Sequence, residues 1–185
     1  MSAIVELPHA VLRQVADEVR AAAWFAGLGE PLTGGERDEA VAYAAALGLG
    51  ALAIESVADW PAAEQRLQAP DWSPAWWERE ESLRRGLLAR AESHYPPAAL
   101  WTALTTLTTE AGDLVHGKAA AAAARLGSAR PASIHVAAGA AAQAAYQFAV
   151  ARLADEPASL FESKFQLFAA GHWPLGVGGS TLFLF

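Results

Sequence analysis

Cysteine is absent from this 185-residue chain. That excludes disulfide scaffolds, thiolate metal sites and cysteine nucleophiles, and it points to a reducing, cytoplasmic compartment. Basic residues are few: 13 Lys and Arg stand against 20 Asp and Glu, for a formal net charge of −7. A phosphate-binding surface needs Lys and Arg to displace counterions, so nucleic acid is not expected as a partner. Charge of either sign is scarce, at 18% of residues against 54% hydrophobic. The interior is therefore large or a surface is shared.

Long lipophilic runs are also missing. Gly- and Ala-rich stretches at 40–54 and 132–151 approach membrane-spanning length. Alanine is only weakly lipophilic, however, and Glu55, His135 and two glutamines would be costly in lipid, so no membrane insertion is expected. No basic segment leads into an apolar one at the start, where Glu6, Arg13, Asp17 and Glu18 intervene, so no secretory signal is expected.

Familiar catalytic motifs are lacking as well. Gly34 and Gly35 are followed by Glu36 and Arg37 where a phosphate loop needs Lys and Ser or Thr. Gly176, Gly178 and Gly179 have the wrong spacing for a dinucleotide loop and precede no helix. No serine lies in a nucleophile elbow, and no two histidines sit four apart for zinc. No cofactor is expected.

What is present is alanine, the best helix former. The length fits one domain over residues 1–185, and the expected class is all-α: six or seven helices bundled around an Ala-rich central helix, closed by a short C-terminal β-hairpin. The central helix is Pro131 to Leu153, apolar nearly all round and so expected to be buried, interrupted by His135, Gln143 and Gln147.

Before it, Pro8 opens a helix with the stripe Leu12, Val15, Val19 and Ala22, which Gly27 and Gly29 end. Thr33 and Glu36 have capping-box spacing for a second helix running toward Leu47. Residues 51–68 read as one broken or two short helices, with Pro61 at a first turn. Ser73 and Pro74 start another, whose Glu80 with Arg84 and Glu81 with Arg85 have the spacing of solvated pairs. After Pro96 and Pro97, residues Leu100, Leu104, Leu107, Ala111 and Leu114 form a bundle seam that ends at His116 and Gly117 or runs on through the alanines beyond. Pro157 opens a last helix containing Leu160, Phe161, Phe165 and Phe168. Residues 173–177 and 181–185 are β-prone runs around Gly178 and Gly179. Such a hairpin is marginal alone, so it must pack on the helices, pair with Ile4 and Val5, or meet a second chain.

Four groups of residues are candidates for chemistry or recognition. Glu110, Asp113 and His116 resemble half of a helical di-metal site, but their offset from the leucine seam puts Asp113 and His116 on the outer face, and no second pair exists. His135, Gln143 and Gln147 share an arc of a helix expected to be buried and could line a ligand pocket. Trp60, Trp72, Trp76 and Trp77 form a dense group, of which at least half should pack inward. Trp173, Leu182, Phe183 and Phe185 give the hairpin an apolar face suited to a symmetric contact. The leading expectation is a non-enzymatic module that forms a homodimer or binds a protein partner. The alternative is a small-molecule-binding or metal-dependent enzyme centred on His135 or His116.

Overall fold

Local chemistry sets most of the helix ends. The Thr33 hydroxyl accepts the Glu36 N–H while the Glu36 carboxylate accepts the Thr33 N–H at 2.6 Å, a complete capping box. Asp59 caps the helix that Pro61 enters, and Pro74, Pro97 and Pro131 each occupy a first turn, where a missing N–H costs nothing. The computed structural model describes residues 8–185. Its elements in order are α1 (His9–Ala21), α2 (Gly34–Leu47), β1 (Ala53–Ser56), α3 (Trp60–Leu67), α4 (Pro74–His94), α5 (Pro97–Leu126), α6 (Pro131–Leu153), α7 (Leu160–Ala169), β2 (Pro174–Gly178) and β3 (Thr181–Leu184). The chain is mostly helical, with one small sheet.

Helix α5 runs straight through Gly117. Its buried stripe of Leu100, Leu104, Leu107, Ala111 and Val115 continues in Ala119, Ala122 and Ala123. Continuous burial outweighs the roughly 1 kcal/mol that an interior glycine costs a helix. Helix α6 packs against α1, α4, α5 and α7. Its second half is buried at almost every position from Ala144 to Leu153, but in its first half His135, Val136 and Gly139 face solvent. The expectation that His135 is buried is thus corrected, because an alanine-rich helix has no polar face in its sequence to reveal which side looks outward.

The sheet has the order β1-β3-β2. Strands β2 and β3 form the expected antiparallel hairpin, while β1 adds to β3 in parallel, with Ala53 opposite Thr181 and Ser56 opposite Leu184. Residues 51–68 therefore hold a strand followed by one helix, not one broken or two short helices. Pairing with Ile4 and Val5 lies outside the described residues. Across α4, Glu80 turns inward and leaves Arg84 to pair with Glu81 at 2.7 Å, so the expected pair of Glu80 with Arg84 is not made.

Candidate functional site

Of the candidate residues on α5 and α6, two meet. His116 and His135 stack with ring centroids 5.1 Å apart and planes at 27°, both exposed. Further along the same pair of helices, Gln143 joins Trp101, Thr105, Thr108, Thr109 and Tyr146 around a shallow groove of about 290 Å³. Gln147 does not reach it. Its side chain is buried and accepts a hydrogen bond from Lys164 at 3.1 Å. His135, Gln143 and Gln147 are therefore three separate environments, not one pocket. Glu110 and Asp113 are exposed, and Glu110 lies 3.6 Å from Arg20.

Lys164 belongs to a buried chain of polar groups drawn from four helices. Its ammonium lies 2.7 Å from one oxygen of Glu80, whose other oxygen accepts the Tyr43 hydroxyl at 2.6 Å. The Trp76 indole N–H donates in turn to the Tyr43 oxygen at 2.9 Å. Burial, then the charge of Glu80 and the hydrogen bond to it, push the Tyr43 phenol well above its usual range. Tyr43 is thereby held as a neutral donor. Each charge has a partner, so the network ties α2, α4, α6 and α7 into one arrangement. Sequence reading missed it: only the helical spacing of Glu80 beside Leu83 and Leu87 hinted that this acid borders the inward stripe.

A second carboxylate anchors α6. Glu64 of α3 accepts the Arg130 N–H at 2.9 Å and the Ser133 hydroxyl at 2.7 Å, placing negative charge at the positive end of the helix. The Ser133 hydrogen bond first, then the Arg130 backbone, holds the Glu64 carboxyl below its usual range.

The tryptophans divide. Trp60 is fully buried against Trp173 and Phe185, Trp72 and Trp76 are half-buried, and Trp77 is 58% exposed. The Arg66 guanidinium lies 4.1 Å from the Phe183 ring centroid and 4.7 Å from that of Trp72. These contacts correct the expected hairpin surface. Trp173, Leu182, Phe183 and Phe185 are all buried under residues of their own chain, so they offer no apolar face to a partner.

The edges of the sheet differ. Beside β2, the Ser73 N–H donates to the Val177 carbonyl at 2.8 Å and the Gly179 N–H to the Asp71 carbonyl at 3.0 Å, closing that side. On β1, the Ala53 N–H reaches the Ser180 carbonyl and the Val57 N–H the Leu184 carbonyl. Parallel pairing then directs the backbone groups of Ile54 and Ser56 away from β3. Among the described residues no strand covers them, and Ala53, Glu55 and Ser56 are exposed.

Among the described residues no helix is long and apolar enough to cross a membrane. Comparison with protein-family models, with curated proteins and with solved structures finds no match to this chain.

Proposed function

We propose that this protein is a non-enzymatic module that self-associates by strand addition at β1, its helices forming a bundle around the Ala-rich α6. The observation that carries the reading is the difference between the two sheet edges: one is closed by residues 71–73, the other leaves the backbone of Ile54 and Ser56 unpaired among the described residues. An exposed edge without lysine, proline or a bulge is a template for another strand. β1, which no strand other than β3 covers among the described residues, offers such a template to a second copy.

A two-fold contact must match β1 with itself in antiparallel register. Centring the pair on Glu55 would set two carboxylates face to face, which is destabilising. Centring it on Ile54 places Ile54 opposite Ile54, Ala53 opposite Glu55 and Leu52 opposite Ser56, with no like-charge contact. That register fits the sequence.

Ile54→Pro removes an outward N–H that β3 does not use, so the fold survives while the added strand loses a donor. Ser56→Pro does the same one pair further along. The reading predicts that the wild-type chain sediments as a dimer and both variants as folded monomers. A wild-type monomer, or variants that dimerise unchanged, would overturn it.

A small-molecule site is the second reading, favoured by the convergence of an exposed Trp101 ring, Tyr146, the Gln143 amide and threonine hydroxyls on one groove. Thermal-shift screening of neutral polar ligands tests it. A hit lost in both Trp101→Ala and Gln143→Ala supports the groove, and a hit kept in both rejects it.

A further inference from the structure

His116 and His135 come from the two helices that pack most extensively on each other, so their backbones are held in a fixed relation. Their rings stack at 5.1 Å in solvent. Among the described residues, the histidine that lies beside a carboxylate is His172, 3.4 Å from Glu36, and no hydrogen bond engages either stacked ring. One turn before His116 and one turn after His135 stand Gly112 and Gly139, where even an added Cβ would meet nothing within 4 Å. The space beside the rings is open to water.

We infer that His116 and His135 form a binding site for a divalent transition-metal ion. Imidazole nitrogens suit Cu²⁺, Ni²⁺ and Zn²⁺ and discriminate against Mg²⁺ and Ca²⁺, which take oxygen ligands. Both rings are exposed, so their side chains are free to rotate out of the stack and turn one nitrogen of each toward a common ion at the roughly 2.0–2.1 Å that such ions require. No third His, Asp or Glu joins the pair among the described residues, so water completes the coordination. Two nitrogens with water in a tetragonal arrangement favour Cu²⁺, the strongest binder of the divalent series. The bound ion clips α5 to α6 across the turn that joins them. It binds the folded chain in preference to the unfolded one and so raises thermal stability.

The test titrates CuCl2 into the full chain by calorimetry and records the electron paramagnetic resonance spectrum. The expected result is one ion per chain with a tetragonal, nitrogen-ligated signal. His116→Ala and His135→Ala should each weaken binding by about tenfold or more, at least the lower end of what loss of an outer-shell partner causes. The double variant should lose both the signal and the copper-dependent rise in melting temperature. His9→Ala/His94→Ala, which removes the other exposed histidines, should bind like wild type. Binding unchanged in His116→Ala/His135→Ala, or no binding by the wild type, overturns the assignment. All four positions are exposed, so circular dichroism should show native folds.

Discussion

The Lys164 ammonium lies 2.7 Å from the Glu80 carboxylate with both side chains almost wholly buried. Removing one member leaves an uncompensated charge in the interior. Lys164→Met should therefore cost about 3–5 kcal/mol of stability. Replacing both as Glu80→Gln/Lys164→Met should restore more than half of that loss, because no buried charge remains. Urea denaturation of the wild type and these two variants measures the difference. Equal stability of the single and double variants would show that charge is not what the pair contributes.

Tyr43 makes a prediction for alkaline solution. Its phenol ionises above its usual range in the folded chain, so the unfolded chain gives up this proton first as pH rises. Stability from this group is complete below about pH 10, the ordinary phenol value, and falls as pH rises beyond it. Tyr43→Phe should flatten that alkaline decline. It should also cost about 1–3 kcal/mol at neutral pH by leaving Glu80 and Trp76 short of a partner. The slope of unfolding free energy between pH 9 and 11 is the measurement.

Glu64 acts at the opposite end of the scale. Its carboxyl is held below the usual range by Ser133 and Arg130, so its contribution is present above the ordinary carboxylate value of about 4.3. That contribution is lost as pH falls through the folded-state value, since the unfolded chain takes up the proton first. Glu64→Gln should remove this share of the acid sensitivity. An acid unfolding curve with the wild-type slope would show that Glu64 does not carry it.

Gly171 is a position where backbone geometry admits no side chain. Its φ is +105°, and a Cβ there would lie 3.1 Å from Gly27 Cα and closer still to its nitrogen. Both atoms are backbone, and the Gly27 N–H donates to the Gly171 carbonyl at 3.2 Å. Gly171→Ala should destabilise by about 2–3 kcal/mol. Gly178→Ala should cost less, because the atoms its Cβ would meet are the movable end of Arg66 and the Asp71 carboxylate. Thermal melts of the two variants give the order.

The tryptophan group should divide in mutagenesis as it does in space. Trp60→Ala empties a fully buried site and should cost about 3–5 kcal/mol. Trp77→Ala, at an exposed position, should stay within about 0.5 kcal/mol of wild type. Similar losses at both sites would contradict their placement.

Much of the helical layout is legible in the sequence because its signals are local. Pro74, Pro97 and Pro131 start helices where first-turn chemistry places them, and Thr33 with Glu36 caps α2. What escapes depends on distant partners. The four residues of β1 lie in an Ala- and Leu-rich stretch without clear alternation, and they become a strand because β3 offers them a ladder. Glu80 reads as a solvated partner of Arg84 until α7 brings Lys164 to it. The outward face of α6 cannot be read, since alanine is equally at home on either side, and nothing in the sequence marks His135 as exposed. Its contact with His116 needs the register of two antiparallel helices, which no spacing within one helix encodes.

The parallel pairing of β1 with β3 also bears on the order in which the chain folds. Helices α5, α6 and α7 pack on their neighbours in sequence, whereas α2 must find α7 and residues 53–56 must find partners at 181–184 across almost the whole intervening chain. Contacts of such wide separation form slowly, because the loop they close must first lose its freedom. The sheet, like the α2–α7 contact, is therefore expected among the late events in folding. Until β1 joins the hairpin, Trp60 lacks Trp173 and Phe185 and the β3 edge stands unpaired, so the slow phase is also an interval of aggregation risk.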